Sequence, residues 1–281
     1  MPTVTNANTD ALLARAQALW QRNDAAQAGM ILREINAGDT GREDAAMLLA
    51  EVLRSEGKLD AACQVVLELC RVNDFAIDLS LTGAAFARQC DRHATARRIC
   101  EDALSRHPPQ VELLVLAGHV ARETGDFETA RARYLAALDA GADLEREHVL
   151  GALVNTRCYT DAADPDIARC ERHFRDDRYS ARSRASAGFG LAKVQSDLGD
   201  HAAAARTLIE ANAMVRAVLP WDAAAWQQFI EARRAEKVTR ARGDASADFV
   251  PVFIVGMPRS GTTLTATLLA RTTTARDRGE L

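Results

Sequence analysis

Aromatic residues are scarce in this 281-residue chain, at 5% of the total, and not one proline falls between Thr3 and His107. Few rings together with abundant alanine favour close helix packing over a sandwich or barrel, and a proline-free stretch lets helices run unbroken. No apolar run approaches the roughly 18 residues of a membrane span. The start, Met1-Pro2-Thr3-Val4-Thr5-Asn6, lacks a basic segment followed by an apolar one, so no secretion signal is read and a cytoplasmic protein is expected. The six cysteines (Cys63, Cys70, Cys90, Cys100, Cys158, Cys170) form no C-x-x-C pair and no zinc-ligand spacing. Buried thiols in a reducing compartment are therefore expected, not disulfides and not a metal site. Neither sign of charge dominates. With 35 Lys+Arg against 39 Asp+Glu the net charge is −4, so no basic field recruits nucleic acid or anionic lipid.

What is present is a period. Asn23, Gly57, Asp91 and Gly125 follow one another at steps of 34, each between two helical stretches. Small residues keep the same step as Ala28, Ala62, Ala96 and Ala130, and again as Ala16, Ala50, Ala84 and Gly118. A third column holds Leu32, Val66, Cys100 and Tyr134. Small residues at that interval, where paired helices cross, resemble the tetratricopeptide (TPR) repeat. The clearest copy runs through Leu114, Ala117-Gly118, Gly125-Asp126, Ala130, Tyr134 and Ala137, with Leu114 where tryptophan is usual. Blocks fall at 9–42, 43–76, 77–110 and 111–144.

The phase then decays: the next block carries Asp164-Pro165 where a small helix residue belongs. It resumes six residues late, through Leu191-Ala192, Leu198-Gly199-Asp200, Ala204, Leu208 and Ala211. A further helix is expected over residues 221–240 with Asp222 as its N-cap, then a linker over 243–248. Such arrays offer a concave surface that binds peptides, while the plainer alternative is that this one merely carries or dimerises the segment attached to it. The six histidines and the sign-alternating run 169–178 are expected on solvated helix faces. Trp221 and Trp226 are expected as packing anchors.

From Val250 the sequence changes character. Val252-Phe253-Ile254-Val255 has the composition of a strand buried on both faces of a parallel sheet, with Pro251 at its start. A loop bounded by Gly256 and Gly261 comes next, then a helix expected over 262–271. Strand, glycine-bounded loop and helix together aim backbone N–H groups and a helix N-terminus at one anion. This is no Walker A loop, because Thr262 stands where an NTPase has lysine and no lysine occurs after Lys237. Arg259 instead offers a planar fork to two oxygens of a sulfate or phosphate.

The run Val255-Gly256-Met257-Pro258-Arg259-Ser260-Gly261-Thr262-Thr263-Leu264 resembles the 5′-phosphosulfate loop of sulfotransferases. It is most similar to the protein-tyrosine sulfotransferase-like proteins that carry TPR repeats ahead of the catalytic domain. The resemblance implies sulfuryl transfer from 3′-phosphoadenosine-5′-phosphosulfate (PAPS) to a hydroxyl, without a metal. It implies that Pro258, Arg259, Ser260, Gly261, Thr262 and Thr263 hold the cofactor, and that Arg259 offsets charge on the moving sulfuryl group. Ungapped counting places the family's catalytic base on Glu280, although the His-Pro usual near Thr272-Thr273 is missing. The alternative for Glu280 is a solvated terminal carboxylate.

The expected fold is therefore mostly α: a TPR-like α-superhelix followed by the first β-strand–loop–helix of a P-loop-like α/β sulfotransferase domain. Its parts are TPR repeats over 1–144, degenerate TPR-like helices over 145–220, a connecting helix and linker over 221–248, and the start of the sulfotransferase domain over 249–281. One strand and one helix do not make a stable sheet, so a fragment or truncated product is expected. Two functions stay open: a PAPS-dependent sulfotransferase whose TPR face selects a peptide acceptor, and a TPR interaction scaffold with a non-catalytic remnant. Tyrosine, sugar and small-molecule hydroxyls all stay open as acceptors.

Overall fold

The computed structural model describes residues 4–235, 252–256, 260–272 and 274–276. The chain divides into two compact units, residues 1–221 and 222–281. The first unit is helical throughout. Its regular part is four hairpins: α1 (Val4–Gln21) with α2 (Ala25–Gly38), α3 (Glu43–Ser55) with α4 (Leu59–Val72), α5 (Ile77–Gln89) with α6 (His93–Arg106), and α7 (Val111–Glu123) with α8 (Phe127–Asp139). A four-residue α9 (Leu144–Glu147) and a six-residue α10 (Val149–Val154) come after them, then α11 (Pro165–Arg175), and finally the long hairpin of α12 (Ala181–Asp197) with α13 (His201–Val218).

The corners explain the period. Asn23, Gly57, Asp91, Gly125 and Gly199 all adopt left-handed backbone, with φ of 61°, 73°, 55°, 80° and 83°. After each, the next amide donates back to a carbonyl five residues earlier: Asp24 to Leu19 at 3.0 Å, and Lys58 to Leu53, Arg92 to Ala87, Asp126 to Ala121 and Asp200 to Gln195 at 2.9 Å. This closing pattern needs a residue that tolerates positive φ, so glycine, asparagine or aspartate recurs there. The succeeding helices are capped where an aspartate is available, as when Asp24, Asp126 and Asp200 accept from the amides of Gln27, Thr129 and Ala203.

Inside the hairpins the small columns are buried completely: Ala16, Ala28, Ala50, Ala62, Ala84, Ala96 and Ala130 expose nothing. Gly118 marks the tightest crossing of the regular repeats, since a methyl group built on it would sit 2.6 Å from the Tyr134 ring. The apolar core continues from Leu13 through α7, passes around Tyr134 with Val149 and Leu153, and ends around Tyr159, Phe174 and Ala211. All six cysteines are free, and every one but Cys158 is buried. Burial pushes the thiols of Cys63, Cys70, Cys100 and Cys170 up to about 12, where they stay protonated and inert.

The fifth repeat is where the array becomes irregular. Asp164 caps α11 through the Asp166 amide and Pro165 takes the first helical position, so the pair that breaks the repeat pattern starts a helix of its own. Two expectations are corrected in this region. The run 169–178 is not simply a solvated face, because Cys170, His173 and Phe174 are buried within it. Those three join Ile167 on one stripe of α11 that packs against α12, leaving the alternating charges for the other side. Nor do the histidines all sit in solvent: His201 is exposed, but His173 is buried.

In the second unit, α14 (Ala223–Ala235) begins at Asp222, whose side chain accepts from the Ala225 amide at 2.9 Å. Residues 236–240 of the expected helix and the 243–248 linker lie outside the described residues. Trp221 and Trp226 are largely exposed, contrary to a role as packing anchors, and Trp226 stacks on Phe229 with centroids 5.7 Å apart. The expected strand is not formed: there is no strand among the described residues, and Val252, Phe253 and Val255 are exposed. A strand needs a second segment to pair with its amides and carbonyls, and β-branched composition cannot supply one. The helix expected after it does form, as α15 (Thr262–Thr272).

Candidate functional site

Two surfaces hold side chains suited to recognition. The first belongs to the leading helices of the hairpins, where α1 lies beside α3 and α5 beside α7. One column in their last turns reads Trp20, Arg54, Arg88 and Arg122, again at steps of 34. Arginine in a final turn complements the negative end of a helix, which explains the residue type. Arg54 pairs with Glu51 at 2.6 Å and its guanidinium lies 5.7 Å from the centroid of the Phe86 ring in the next repeat. Arg88 donates through Nε to both carboxylate oxygens of Glu123, at 2.9 and 3.0 Å, joining α5 to α7.

His119 sits within this positive neighbourhood and bonds the buried Tyr134 hydroxyl at 2.8 Å. Burial, followed by the charges of Arg122 and Arg88, holds its imidazole down at about 4. The ring is therefore neutral at ordinary pH. Half-buried Met47 and Leu81, one repeat apart on the same helices, add apolar contact surface.

Successive trailing helices are tied by a second set of ion pairs. Arg106 reaches Asp74, two residues past the end of α4, at 3.0 Å, Arg133 reaches Glu101, and Arg175 reaches Glu210 at 3.0 Å. The densest tie is at the irregular repeat. Arg131 of α8 and Arg169 of α11 grip the buried Asp166 at 2.6 and 3.0 Å, and the Tyr159 hydroxyl donates to the same carboxylate at 2.8 Å. Burial alone would raise that carboxyl group, but the hydrogen bonds from Arg131 and Tyr159 outweigh it and hold it below its ordinary value.

The second surface is the start of α15. Among the residues expected to hold a phosphosulfate, Ser260, Gly261, Thr262 and Thr263 are described, while Pro258, Arg259 and Glu280 lie outside the described residues. Gly261 has φ of 90°, and a methyl group on Gly256 would meet Ser260 Oγ at 2.5 Å and Thr262 Cγ2 at 3.1 Å. Gly256 thus lies against the start of the helix. Thr265 and Thr267 donate their hydroxyls to the Gly261 and Thr263 carbonyls, at 3.0 and 2.9 Å. Ser260 and Gly261 precede the helix, and Thr262 and Thr263 are its first two residues.

The arginine column shares the period of the repeat and was legible in the sequence, but arginine at a helix end reads as ordinary dipole compensation. Among the described residues no three histidine, cysteine, aspartate or glutamate side chains converge as a metal cage requires. No helix among them is long and apolar enough to cross a membrane.

No family model matches the chain. A protein of Aquifex aeolicus (strain VF5), itself described only as uncharacterized, is 30% identical over 195 residues, covering 66% of this chain but 24% of the relative. The chain thus spans about a quarter of that relative's length. Similar solved structures include PilW, a type IV pilus biogenesis factor (17% identity, TM-score 0.45, covering 79% of this chain and 98% of PilW). Two more are YrrB, a TPR protein with an unusual peptide-binding site (12%, 0.47, 72% and 97%), and PilF of Pseudomonas aeruginosa (14%, 0.44, 81% and 98%). At these scores the neighbours decide nothing about this chain, and its TPR-like fold stands on the 34-residue period, the left-handed corners and the hairpin packing.

Proposed function

We propose that residues 4–218 form a protein-binding TPR array. The carrying observation is the row of leading helices, which places Arg54, Arg88 and Arg122, and half-buried Met47 and Leu81, at the 34-residue spacing of the repeat. A solenoid repeats such groups along an extended surface, which suits a peptide segment. Screening of the protein against an array of peptides tests this. Arg54→Ala/Arg122→Ala should weaken the selected peptides about tenfold or more without unfolding the helices. Unchanged binding would remove the leading-helix row from the reading.

A second reading is favoured by the start of α15. The segment from Val252 belongs to a PAPS-dependent sulfotransferase, and the array selects its acceptor. Gly256 packs close on Ser260, and the N-terminus of the helix that begins at Thr262 is a source of amide donors for an anion. Ser260, Gly261, Thr262 and Thr263 would hold the 5′ end of PAPS through amides and hydroxyls, with Arg259 as the cationic partner. PAPS supplies the sulfuryl group. The chain supplies orientation and charge stabilisation, and Glu280 is the proposed acceptor of the hydroxyl proton. In the full-length gene product, Arg259→Ala should lower sulfuryl transfer from labelled PAPS by about 100-fold or more. Absence of transfer by the unsubstituted protein, with peptide binding intact, would leave the scaffold reading alone.

A further inference from the structure

The irregular fifth repeat contains a buried histidine that neither proposed function uses. His173 of α11 exposes only 5% of its surface, and its ring lies 4.1 Å from that of Tyr179. Its Nε2 is 2.8 Å from Ser183 Oγ, and Ser183 Oγ is 2.7 Å from the Leu144 carbonyl. A hydroxyl has one proton. The arrangement that satisfies both contacts sends it to the Leu144 carbonyl, so His173 donates from Nε2 and its Nδ1 keeps a bare lone pair. That Nδ1 is buried without a partner, as is Nδ1 of His148, and both rings line one small cavity with Leu144, Leu150, Ser183 and Ser186.

A second feature marks the same place. His148 separates α9 from α10 with φ of 49°, a left-handed backbone in a side chain that gains no turn hydrogen bond from it. Non-glycine residues held in that region concentrate where a fold is poised to change. Glu145, on α9, accepts the amide of Ser180 at 3.0 Å, and Ser180 is itself the N-cap of α12. The charged or titratable groups facing His173 are thus Glu145 from α9, His148 from the joint, Asp176 and Tyr179 beyond its own helix, and Arg184 from α12.

We propose that this junction is a proton-operated joint: proton uptake at His173 Nδ1 breaks the packing of α9 and α10 on α12 and changes the stacking of the last two hairpins. The new N–H needs an acceptor; the polar side chains lining the cavity are His148 and serines, and the Asp176 carboxylate is already taken by Arg178. The carboxylate of Glu145 can serve, and drawing it toward the ring pulls on its bond to the Ser180 amide at the start of α12. Burial already holds the His173 ring below its ordinary value, although Glu145 and Asp176 pull upward against His148 and Arg184. The closed joint is therefore favoured by the neutral ring above about 6.5, the ordinary histidine value, and loses that preference as pH falls below it.

Amide hydrogen exchange of the full chain tests the joint. Between pH 7.5 and 5.5, after correction for intrinsic exchange, protection over residues 144–154 and 176–187 should fall about tenfold more than protection over α3–α6. His173→Gln, which can still donate to Ser183 but cannot be protonated, should abolish that regional difference, and His119→Gln should leave it. Should His173→Gln fail to fold, histidine NMR on the unsubstituted protein decides instead. The His173 resonance should titrate in step with methyl shifts of Leu150. A uniform loss of protection across the array, persistence of the regional loss in His173→Gln, or titration without any Leu150 response each overturns the proposal.

Discussion

Gly118→Ala is the sharpest test of how this array packs. On propensity alone the change should help, because alanine in a helix interior is better than glycine by about 1 kcal/mol. The structure predicts the reverse. The added methyl would lie 2.6, 2.8 and 3.0 Å from three carbons of the Tyr134 ring. That ring is fully buried and its hydroxyl is anchored by His119, so it cannot swing aside at small cost. Overpacking costs about 1–3 kcal/mol, and contacts this short on a ring that cannot move fall in the upper part of that range, about 2–3 kcal/mol, which leaves a net loss of about 1–2 kcal/mol and a Tm lower by about 2–8 °C.

The same register carries alanine with leucine in the first repeat (Ala16, Leu32), with valine in the second (Ala50, Val66) and with cysteine in the third (Ala84, Cys100). Only the fourth combines glycine with tyrosine, so one side chain's size compensates the other's. Gly118→Ala should therefore be less harmful in a Tyr134→Leu background, with a coupling of about 1 kcal/mol in a double-mutant cycle read by urea denaturation. An unchanged or raised stability for Gly118→Ala, or strictly additive losses, would refute the reasoning.

At the corners, Asp91→Gly should raise stability by a few tenths to about 1 kcal/mol and Gly57→Ala should lower it by about 1 kcal/mol, because both positions hold positive φ; thermal denaturation distinguishes the two signs. Asp166→Asn removes the buried charge that Arg131 and Arg169 share, and because both guanidinium groups keep access to water it should cost about 1–3 kcal/mol, measured by chemical denaturation. Since its carboxyl group is held low in the folded chain, this stabilisation is complete above about 4 and disappears as pH falls further. His119, held at about 4, acts in a higher window: its neutral form stabilises the array fully above about 6.5 and that contribution is lost as pH falls toward 4. His119→Gln should accordingly flatten the acid limb of a stability-against-pH curve between those limits.

Along the chain, the sequence determined the helical hairpins, their period, their left-handed corners, the break at Asp164-Pro165 and the helix after Gly261. Each is a local matter, fixed by backbone tolerance at one residue or by the recurrence of small side chains every 34 positions. The loop around Ser260 was legible as a motif for the same reason. Only the tertiary structure decided that Gly118 and Tyr134 share one volume, that Asp166 gathers arginines from two helices, and that His173 lies inside. Such partners are brought together by the stacking of whole repeats, which no local pattern specifies. Residues 252–255 behave in the opposite way: their composition favours a strand, yet pairing is a property of two segments, and one stretch of sequence describes only itself.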